Sequence, residues 1–420
     1  MRTFGEFVTF FSIQSVMSII GIDLGTHVCS LALWSEEQNS TAIIADDMGS
    51  RAIPSIVAYR NDEIIIGQAA VSQQNKNGSN TFDNVVHQLL YQPDIENIHV
   101  PALGKDIAVV DMASHLFQNI HNQVKQQVGH AITDSVVVVN KELTEAATQN
   151  LIESAKRGGI KIKSIITNTL SALLAYKLDE AALNTTLPNA IASGGAVTGS
   201  STFNSRMLNM TPSTVFVLDV GFSQCTAGIY KVEQGLYSEI VRKQTDICTA
   251  ATLVKLLVAH CVKDFKKKFK VSCADNARSM LKLQRECELL IKMLSTSNEA
   301  TITIDALYDS FDYSVKLTRA KFEDVCIMPF MQLKNFLTTE IFNNSEVNNS
   351  IGHILLVGGL SSVPKVNLLV KSIFASFSNS GSVGIEYPKL LNIDSSEVGS
   401  IGACYHGTML YKQVSVVFQL

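Results

Sequence analysis

The sequence lacks an excess of either charge, paired cysteines and long apolar runs. Its 420 residues carry 34 basic and 38 acidic side chains, a net charge of -4. This balance argues against direct nucleic-acid binding, which usually needs a basic patch.

None of the eight cysteines forms a Cys-x-x-Cys pair and no histidine stands beside them at ligand spacing, so a zinc site is not expected. Cysteines scattered in this way in a chain of this length favour a reducing compartment over a disulfide framework. No apolar run reaches the ~18 residues of a membrane-spanning helix, so no membrane partner is expected.

The composition is that of an ordinary globular protein, with 46% hydrophobic residues, and the length suggests two or more domains. The segment up to Val16 is apolar and aromatic, but polar residues interrupt it. We therefore interpret residues 1–17 as an N-terminal extension rather than a signal peptide. Residues 182–213 are rich in Asn, Ser, Thr and Gly and show no periodicity, which predicts a flexible insertion.

Between these segments, patterns of strands and helices alternate. Apolar β-branched runs predict an antiparallel meander of short strands at residues 19–22, 28–34, 41–45, 53–59 and 63–66. A strand–helix–strand–helix order, typical of α/β layers, follows at residues 136–139, 143–157, 160–166 and 170–178. Further along, a hairpin at 301–305 and 312–317 leads to Thr318, which we predict to be the N-cap of a helix reaching Phe336.

An apolar strand followed by Asp-x-Gly and a second strand occurs twice, at Asp23 and at Asp219. Two copies of one supersecondary unit predict a duplicated, two-lobe architecture. A third apolar strand, residues 354–357, ends at Gly358 and Gly359. Ligands of α/β sheets bind at the carboxyl ends of strands, where glycine turns offer N–H groups to phosphate and an aspartate can hold hydrated Mg²⁺. Taken singly each aspartate is more often a turn residue, but together they predict a nucleotide clamp.

Several longer segments carry recognisable motifs in a fixed order. They are Ile20–Thr26, Gly49–Tyr59, Ile66–Ala70, Phe265–Lys268, Leu317–Glu323, Leu356–Gly359 with Val363–Lys365, and Ile401–Ala403. Together they resemble the ATPase domain of the heat-shock protein 70 (DnaK) family, in which the first is similar to a phosphate loop and Leu356–Gly359 to the adenosine motif. The resemblance implies an α/β, actin-like two-lobe ATPase domain of duplicated βββαβα units, with the nucleotide between the lobes.

The resemblance also implies domain boundaries. Lobe I would cover residues 18–181, and lobe II with a closing C-terminal helix would cover residues 214–411. Residues 412–420 would form a linker stub or a tail. Members of the family continue into a substrate-binding domain, and because this sequence ends at Leu420, we expect no such domain here.

Three segments carry a closer likeness within the family: Ser171–Tyr176, Ala277–Leu283 and Asp305–Tyr308. They are similar to the atypical members that belong to a ribosome-associated complex. This likeness implies a cytosolic chaperone subunit that works with a J-domain co-chaperone on nascent chains at the ribosome.

The second phosphate loop departs most from the family pattern. Asp-Leu-Gly-Gly-Gly-Thr-Phe-Asp in the family becomes Asp219–Thr226 here, and Gly221 is the one glycine left. Phe222 and Ser223 place Cβ atoms where a phosphate would approach, and they make left-handed backbone angles costly. Thr226 stands at the position of a second carboxylate.

Other groups that the family uses for hydrolysis are replaced as well. The catalytic lysine would fall near Val86 or His87, and a neutral imidazole cannot replace a fixed ammonium. The remaining replacements are His27 for a threonine of the first loop, Asn168–Thr169 for a Glu-Pro pair, Thr249–Ala250 for a Gly-Gly segment, and Leu360 and Ser362 in the adenosine motif. Because phosphoryl transfer depends on positioning and charge stabilisation, we expect hydrolysis to be very weak or lost.

We therefore predict weakened binding of ATP or ADP with Mg²⁺ and assign no catalytic residue. The predicted nucleotide-binding residues are Asp23, Gly25, Thr26, Asp219, Gly221, Gly358 and Gly359, together with Glu288, Lys292 and Ser295, which match the family's base and ribose contacts. Asp23 and Asp219 would hold the metal through water. An active ATP-dependent chaperone ATPase, with compensating groups at His27, Gln224 or Lys292, is the main alternative. A different actin-like kinase acting on a small metabolite and a degraded copy are two others.

Overall fold

The structure, a computed structural model, describes residues 19–35, 40–176, 213–233, 236–343, 351–377 and 394–417. The predicted N-terminal extension lies outside these ranges, as do residues 182–212 of the predicted insertion and the last three residues of the predicted tail. Within the ranges the chain forms two larger sheets, several small antiparallel units and helices packed around them.

The first sheet combines an antiparallel meander with two parallel strands. Its members are β1 Ile20–Leu24, β2 Val28–Ser35, β3 Ser40–Ile44, β4 Ile53–Pro54, β10 Asp134–Val139 and β11 Lys161–Thr167. The order is β11-β10-β1-β2-β3, with β4 paired to β2. β1 runs parallel to β10 and places Asp23 opposite Val138, so Asp23 lies at the carboxyl edge of the sheet.

The predicted meander is confirmed for β1 to β3 but not for residues 57–66. There, β5 (Val57–Arg60) pairs with β6 (Glu63–Ile66) and β7 (Thr81–Phe82) in a separate antiparallel sheet. The intervening β4 is only two residues long and ends at Pro54. Because proline has no backbone N–H to continue a ladder, the chain leaves the first sheet at this point.

The second sheet repeats the plan of the first. Its members are β12 Ser213–Val220, β13 Cys225–Glu233, β14 Leu236–Thr245 and β17 Ile351–Val357. The order is β14-β13-β12-β17, and β12 runs parallel to β17 with Asp219 opposite Val357. In both sheets a meander of three strands is extended by a parallel strand beside its first member, which confirms the duplication predicted from the two Asp-x-Gly turns.

The remaining elements are two further hairpins and the helices. The hairpins are β8 Asn97–Val100 with β9 Lys105–Ala108, and β15 Glu299–Tyr308 with β16 Phe311–Thr318. The helices are α1 Gln68–Gln73, α2 Val85–Tyr91, α3 Val109–Val128, α4 Glu145–Arg157, α5 Asn168–Ala175, α6 Ala250–Phe269, α7 Ala277–Thr296, α8 Arg319–Val325, α9 Ile327–Phe336, α10 Pro364–Phe377 and α11 Val398–Val417. None of the helices within the described ranges is long and apolar enough to cross a bilayer.

The region after β16 shows how a side chain starts a helix. The Thr318 hydroxyl accepts a hydrogen bond from the Lys321 N–H at 3.2 Å, which confirms the predicted N-cap. The helix predicted to reach Phe336 is interrupted at Cys326, which separates α8 from α9.

The last helix, α11, packs against the first sheet although it follows the second one in sequence. It contacts β1, β2 and α5, and the Cys404 thiol donates to the Ile19 carbonyl at 3.7 Å. The buried side chains of this contact include Val136 and Tyr405. The boundaries expected from the sequence grouped this helix with residues 214–411, whereas it packs mainly against the first sheet and α5. Its first residue, Val398, also packs beside Val215 and Val357 of the second sheet.

Candidate functional site

A cavity of about 530 Å³ lies where the carboxyl edges of the two sheets meet. Its walls come from the loops after β1, β10, β12 and β17, from the start of α5 and α11, and from α7. Among its lining residues are nine of those predicted from the sequence: Asp23, Gly25, Thr26, Asp219, Gly221, Glu288, Lys292, Gly358 and Gly359. Matched strand ends therefore bring together residues that are up to 336 positions apart in the chain, since Asp23 and Gly359 line one cavity.

Ser295 stands apart from the other predicted residues. It is not among the residues that line the cavity, and its hydroxyl donates to the Ile291 carbonyl of its own helix at 2.9 Å. Ile291 and Lys292 face the cavity one helical turn earlier. The Ser295 hydroxyl could still accept a hydrogen bond, but it would have to give up its bond within the helix before it could donate one to a ligand.

Asp23 and Asp219 face each other in a buried, acidic environment. Burial, and after it the Asp219 carboxylate, raise the pKa of Asp23 to about 7. Burial also raises the pKa of Asp219 to about 6, while a hydrogen bond donated by the Asn168 amide opposes this increase. No basic side chain of the described residues pairs with either carboxylate. Two neighbouring carboxylates without a cationic partner suit a hydrated divalent cation, so the donor set fits Mg²⁺ held through water.

Two glycines allow the backbone to lie against these carboxylates. A Cβ atom at Gly358, which has a φ of +83°, would collide with the Asp219 carboxylate, and one at Gly399 would collide with the Asp23 carboxylate. The space beside Gly359 is open. The sequence analysis assigned Gly358 to the approach of a phosphate, whereas in the structure its missing side chain makes room for the chain's own aspartate.

The loops that follow β1 and β12 are joined by direct side-chain contacts. Thr26 and Ser223 share a hydrogen bond of 2.8 Å between their hydroxyl groups. The rings of His27 and Phe222 are stacked, with centroids 4.0 Å apart and an angle of 6° between their planes. His27 also places Nε2 3.3 Å from a carboxylate oxygen of Glu288 on α7. We call these five residues the loop bridge.

Neither Phe222 nor Ser223 has a positive φ. The loop after β12 therefore avoids the left-handed backbone angles that the sequence analysis named as costly for these two residues. The loop is closed by the bond from the Gly221 N–H to the Gln224 carbonyl at 2.9 Å.

The Asn168–Thr169 pair at the start of α5 connects the two sheets. The Asn168 amide donates to the Asp219 carboxylate on β12. The Thr169 hydroxyl accepts from the Tyr230 hydroxyl on β13 at 2.8 Å. Both residues are buried, so the position that carries Glu-Pro in the resemblance is here a fixed polar contact between the sheets.

Positive charge is scarce around the cavity. Among the described lining residues, Lys292 is the only lysine or arginine, whereas Asp23, Asp219, Glu288 and Asp394 are carboxylates. His87, near which the family lysine was expected, lies on α2 outside the lining, and burial together with Lys141 lowers its pKa. Of the compensating groups considered from the sequence, His27 is held in the loop bridge and Lys292 lies on the α7 wall.

The sequence analysis missed several parts of the wall, among them Asn140, Asp394–Ser396 and Gly399. Asn140 follows β10 directly, and its carbonyl accepts a bond from the Gln244 amide at 2.5 Å. Asp394–Ser396, before α11, lines the cavity, and the Ser395 carbonyl accepts from the Gly358 N–H at 3.3 Å. Gly399 is the third of these. Asn140 could have been found by the rule that identified Asp23, because it also ends a parallel strand, but no local signal marks the other two.

The fold and the cavity define a class of protein: an actin-like, two-lobe ATPase domain. A family model described as Hsp70 protein matches residues 19–386. The chain therefore belongs to the Hsp70 family. Members of this family generally bind ATP or ADP with Mg²⁺ and work with J-domain co-chaperones and substrate polypeptides.

Individual relatives have low sequence identity to this chain, but the similarity extends over most of its length. Heat shock 70-related protein 5 of Dictyostelium discoideum is 26% identical over 383 residues, which cover 85% of this chain and 70% of that protein. Heat shock 70 kDa protein 14 of Danio rerio is 25% identical over 386 residues, with the same coverage of 85% and 70%. The protein of that name from Xenopus tropicalis is 24% identical over 420 residues, covering 94% of this chain and 74% of the relative.

Proposed function

We propose that this chain is an atypical Hsp70-type chaperone subunit in which ATP or ADP with Mg²⁺ binds weakly and hydrolysis is very slow or absent. Asp23 and Asp219 would hold the metal through water, and Glu288 and Lys292 would contact the base and ribose. The bound metal would neutralise charge on the phosphate oxygens. The chain would act with a J-domain co-chaperone on nascent chains at the ribosome, in the cytosol.

The charge distribution of the cavity carries the proposal of weak hydrolysis. Transfer of a phosphoryl group needs fixed positive charge and positioned donors beside the transferred group. Among the described lining residues the one ammonium, that of Lys292, lies on α7 beside Glu288, while the loops after β1 and β12 present Thr26, His27, Phe222 and Ser223 to each other. No lysine or arginine from these loops reaches the carboxylate pair within the described residues.

The proposed partners rest on the family and on sequence likeness. The Hsp70 family supplies the general expectation of a J-domain co-chaperone and a polypeptide substrate. The ribosome-associated role is supported by the segments Ser171–Tyr176, Ala277–Leu283 and Asp305–Tyr308. Likewise, the division into lobe I (18–181), lobe II (214–411), an extension, an insertion and a tail remains our proposal for the domain organisation.

Single-turnover hydrolysis tests the catalytic part of the proposal. The purified chain, in excess over labelled ATP and with Mg²⁺ present, should release phosphate on the order of 10²–10³ times more slowly than an ordinary Hsp70 ATPase domain assayed in parallel. Lys292→Ala serves as the contamination control, because any phosphate release that this variant leaves unchanged does not depend on this cavity. Release at the ordinary domain's rate, lowered by Lys292→Ala, would refute the proposal.

Co-sedimentation tests the partner. Tagged chain from a cytosolic extract should sediment with ribosomes after a high-salt wash and bring a J-domain protein with it. Puromycin, which releases nascent chains, separates binding to the ribosome from binding to the polypeptide. Recovery of the chain only in the ribosome-free fraction, with no J-domain protein, would contradict the proposed partnership.

A further inference from the structure

The loop bridge spans the gap between the loops that follow β1 and β12. In a clamp of two strand-end turns, phosphates bind between the backbone N–H groups of the turns. Here Thr26 and Ser223 are joined across that gap at 2.8 Å, and the rings of His27 and Phe222 are stacked face to face at 4.0 Å. Rings at that separation are in van der Waals contact, so no anion fits between them.

Admitting a polyphosphate would therefore break contacts that the protein already makes. The Thr26 side chain is buried, and its hydroxyl would exchange a direct protein bond for one to the ligand. The stacked rings would have to separate, and His27 would leave the Glu288 carboxylate. A ligand without a phosphate tail would leave all of these contacts in place.

The negative charge of the cavity also disfavours a polyphosphate. The described lining residues include four carboxylates, of Asp23, Asp219, Glu288 and Asp394, against the single ammonium of Lys292. A triphosphate enters this field only together with a cation that offsets the repulsion. An uncharged ligand is not repelled, and about 530 Å³ is within the range of cavities that hold small organic ligands.

We propose that the loop bridge makes this cleft selective for an uncharged, nucleoside-sized ligand over nucleoside triphosphates. The inference rests on the proposed function in taking the cleft as a nucleotide-type site, and it names the ligand class. His27, Phe222 and Ser223 are then the specificity-determining residues, since they complete the contacts across the gap. The bridge substitutes for the phosphate chain in joining the loop after β1 to the loop after β12.

Calorimetric titration of the purified full chain tests the inference. Adenosine, ATP alone and ATP with Mg²⁺ are the probes, and adenosine is expected to bind at least as tightly as ATP with Mg²⁺. Phe222→Gly and Ser223→Gly, made singly, each remove one contact of the loop bridge, the ring stack with His27 or the hydrogen bond to Thr26. Each is expected to raise the affinity for ATP with Mg²⁺ by about tenfold while changing the affinity for adenosine by less than about threefold.

A matched control exists on the hairpin formed by β15 and β16. Thr303 and Ser314 share a hydroxyl–hydroxyl bond of 3.1 Å at an exposed site that does not line the cavity. Thr303→Ala should leave both affinities unchanged. Circular dichroism of each variant verifies that it is folded. The comparison of adenosine with ATP and Mg²⁺ on the wild-type chain needs no variant and therefore tests the inference even if a variant does not fold.

Three outcomes would overturn the inference. They are binding of ATP with Mg²⁺ by the wild type about tenfold or more tightly than adenosine, unchanged ligand preference in folded bridge variants, and no binding of adenosine at millimolar concentration. The proposed function fails on a different measurement, because weak hydrolysis and a J-domain partner are compatible with all three results. Weak binding of ATP with Mg²⁺ that is still tenfold tighter than binding of adenosine, without hydrolysis, would remove the inference alone, whereas hydrolysis at an ordinary rate would remove the proposed function.

Discussion

Replacing Asp23 by asparagine is expected to stabilise the protein at neutral and alkaline pH. Burial and the Asp219 carboxylate raise the pKa of Asp23 from its ordinary 3.8 to about 7. Between these two values the folded protein holds a proton at Asp23 that the unfolded chain has released. The free energy of unfolding therefore falls as the pH rises through this window. Asparagine cannot ionise, so the variant avoids this loss.

The magnitude follows from the raised pKa. At about 1.4 kcal/mol per pKa unit, the difference between 3.8 and about 7 corresponds to a destabilisation of about 4 kcal/mol above pH 7. This value is an upper bound for Asp23→Asn, because part of it is repulsion shared with Asp219. Below pH 3.8 both states carry the neutral acid, and the contribution disappears.

Urea unfolding of the full chain between pH 4 and pH 8.5, with a chelator to exclude bound metal, measures this effect. The stability difference between Asp23→Asn and wild type should grow from near zero to about 2–4 kcal/mol across the range. Thr301→Ala, at an exposed position on β15 whose side chain does not ionise, should give a difference that does not change with pH. A constant difference for Asp23→Asn, or a less stable variant at pH 8, would refute the reasoning.

Two further predictions use matched pairs of substitutions. Gly358→Ala should lower the free energy of unfolding by about 2 kcal/mol or more, because Gly358 has a φ of +83° and the new Cβ atom would collide with Asp219. Gly359→Ala, beside open space, should change the free energy of unfolding by less than about 0.5 kcal/mol. Equal effects on the chemical denaturation midpoint would contradict this assignment. Thr318→Ala should cost about 1 kcal/mol by removing the N-cap of α8. Thr339→Ala should cost less, because the exposed Thr339 hydroxyl only donates to the Asn335 carbonyl near the end of α9. A smaller loss at Thr318 than at Thr339 in thermal unfolding would show that the cap is not the cause.

Local sequence patterns predicted those elements whose cause is local. The β-branched run before Asp23 formed β1, and Thr318 capped its helix, because each depends on neighbours a few residues away. The repeated Asp-x-Gly turn predicted the duplicated sheets for the same reason. The sequence did not show that residues 57–66 leave the first sheet, since pairing partners are chosen by long-range packing.

The residues of the candidate site also separate into those that local sequence predicted and those that depend on long-range packing. Its carboxylates, Asp23 and Asp219, could be named from strand ends, because every parallel strand delivers its last residue to one edge. The substitution at Phe222 was visible in the sequence as a lost glycine, which makes left-handed backbone angles costly, but the contact that this side chain makes was not visible. The Phe222 ring stacks on the ring of His27, and only folding brings positions 27 and 222 together.

By itself, the sequence determined the family, the two-lobe fold and the acidic strand ends, because these follow from short motifs and from periodicity. The tertiary structure alone decided that Gly399 shelters Asp23, that Ser295 faces its own helix and that the Thr26 and Ser223 hydroxyl groups join two loops. Such contacts depend on distances between segments far apart in the chain, which no local pattern records. For that reason the sequence predicted a weakened phosphate site without the contacts that the structure shows between the loops after β1 and β12.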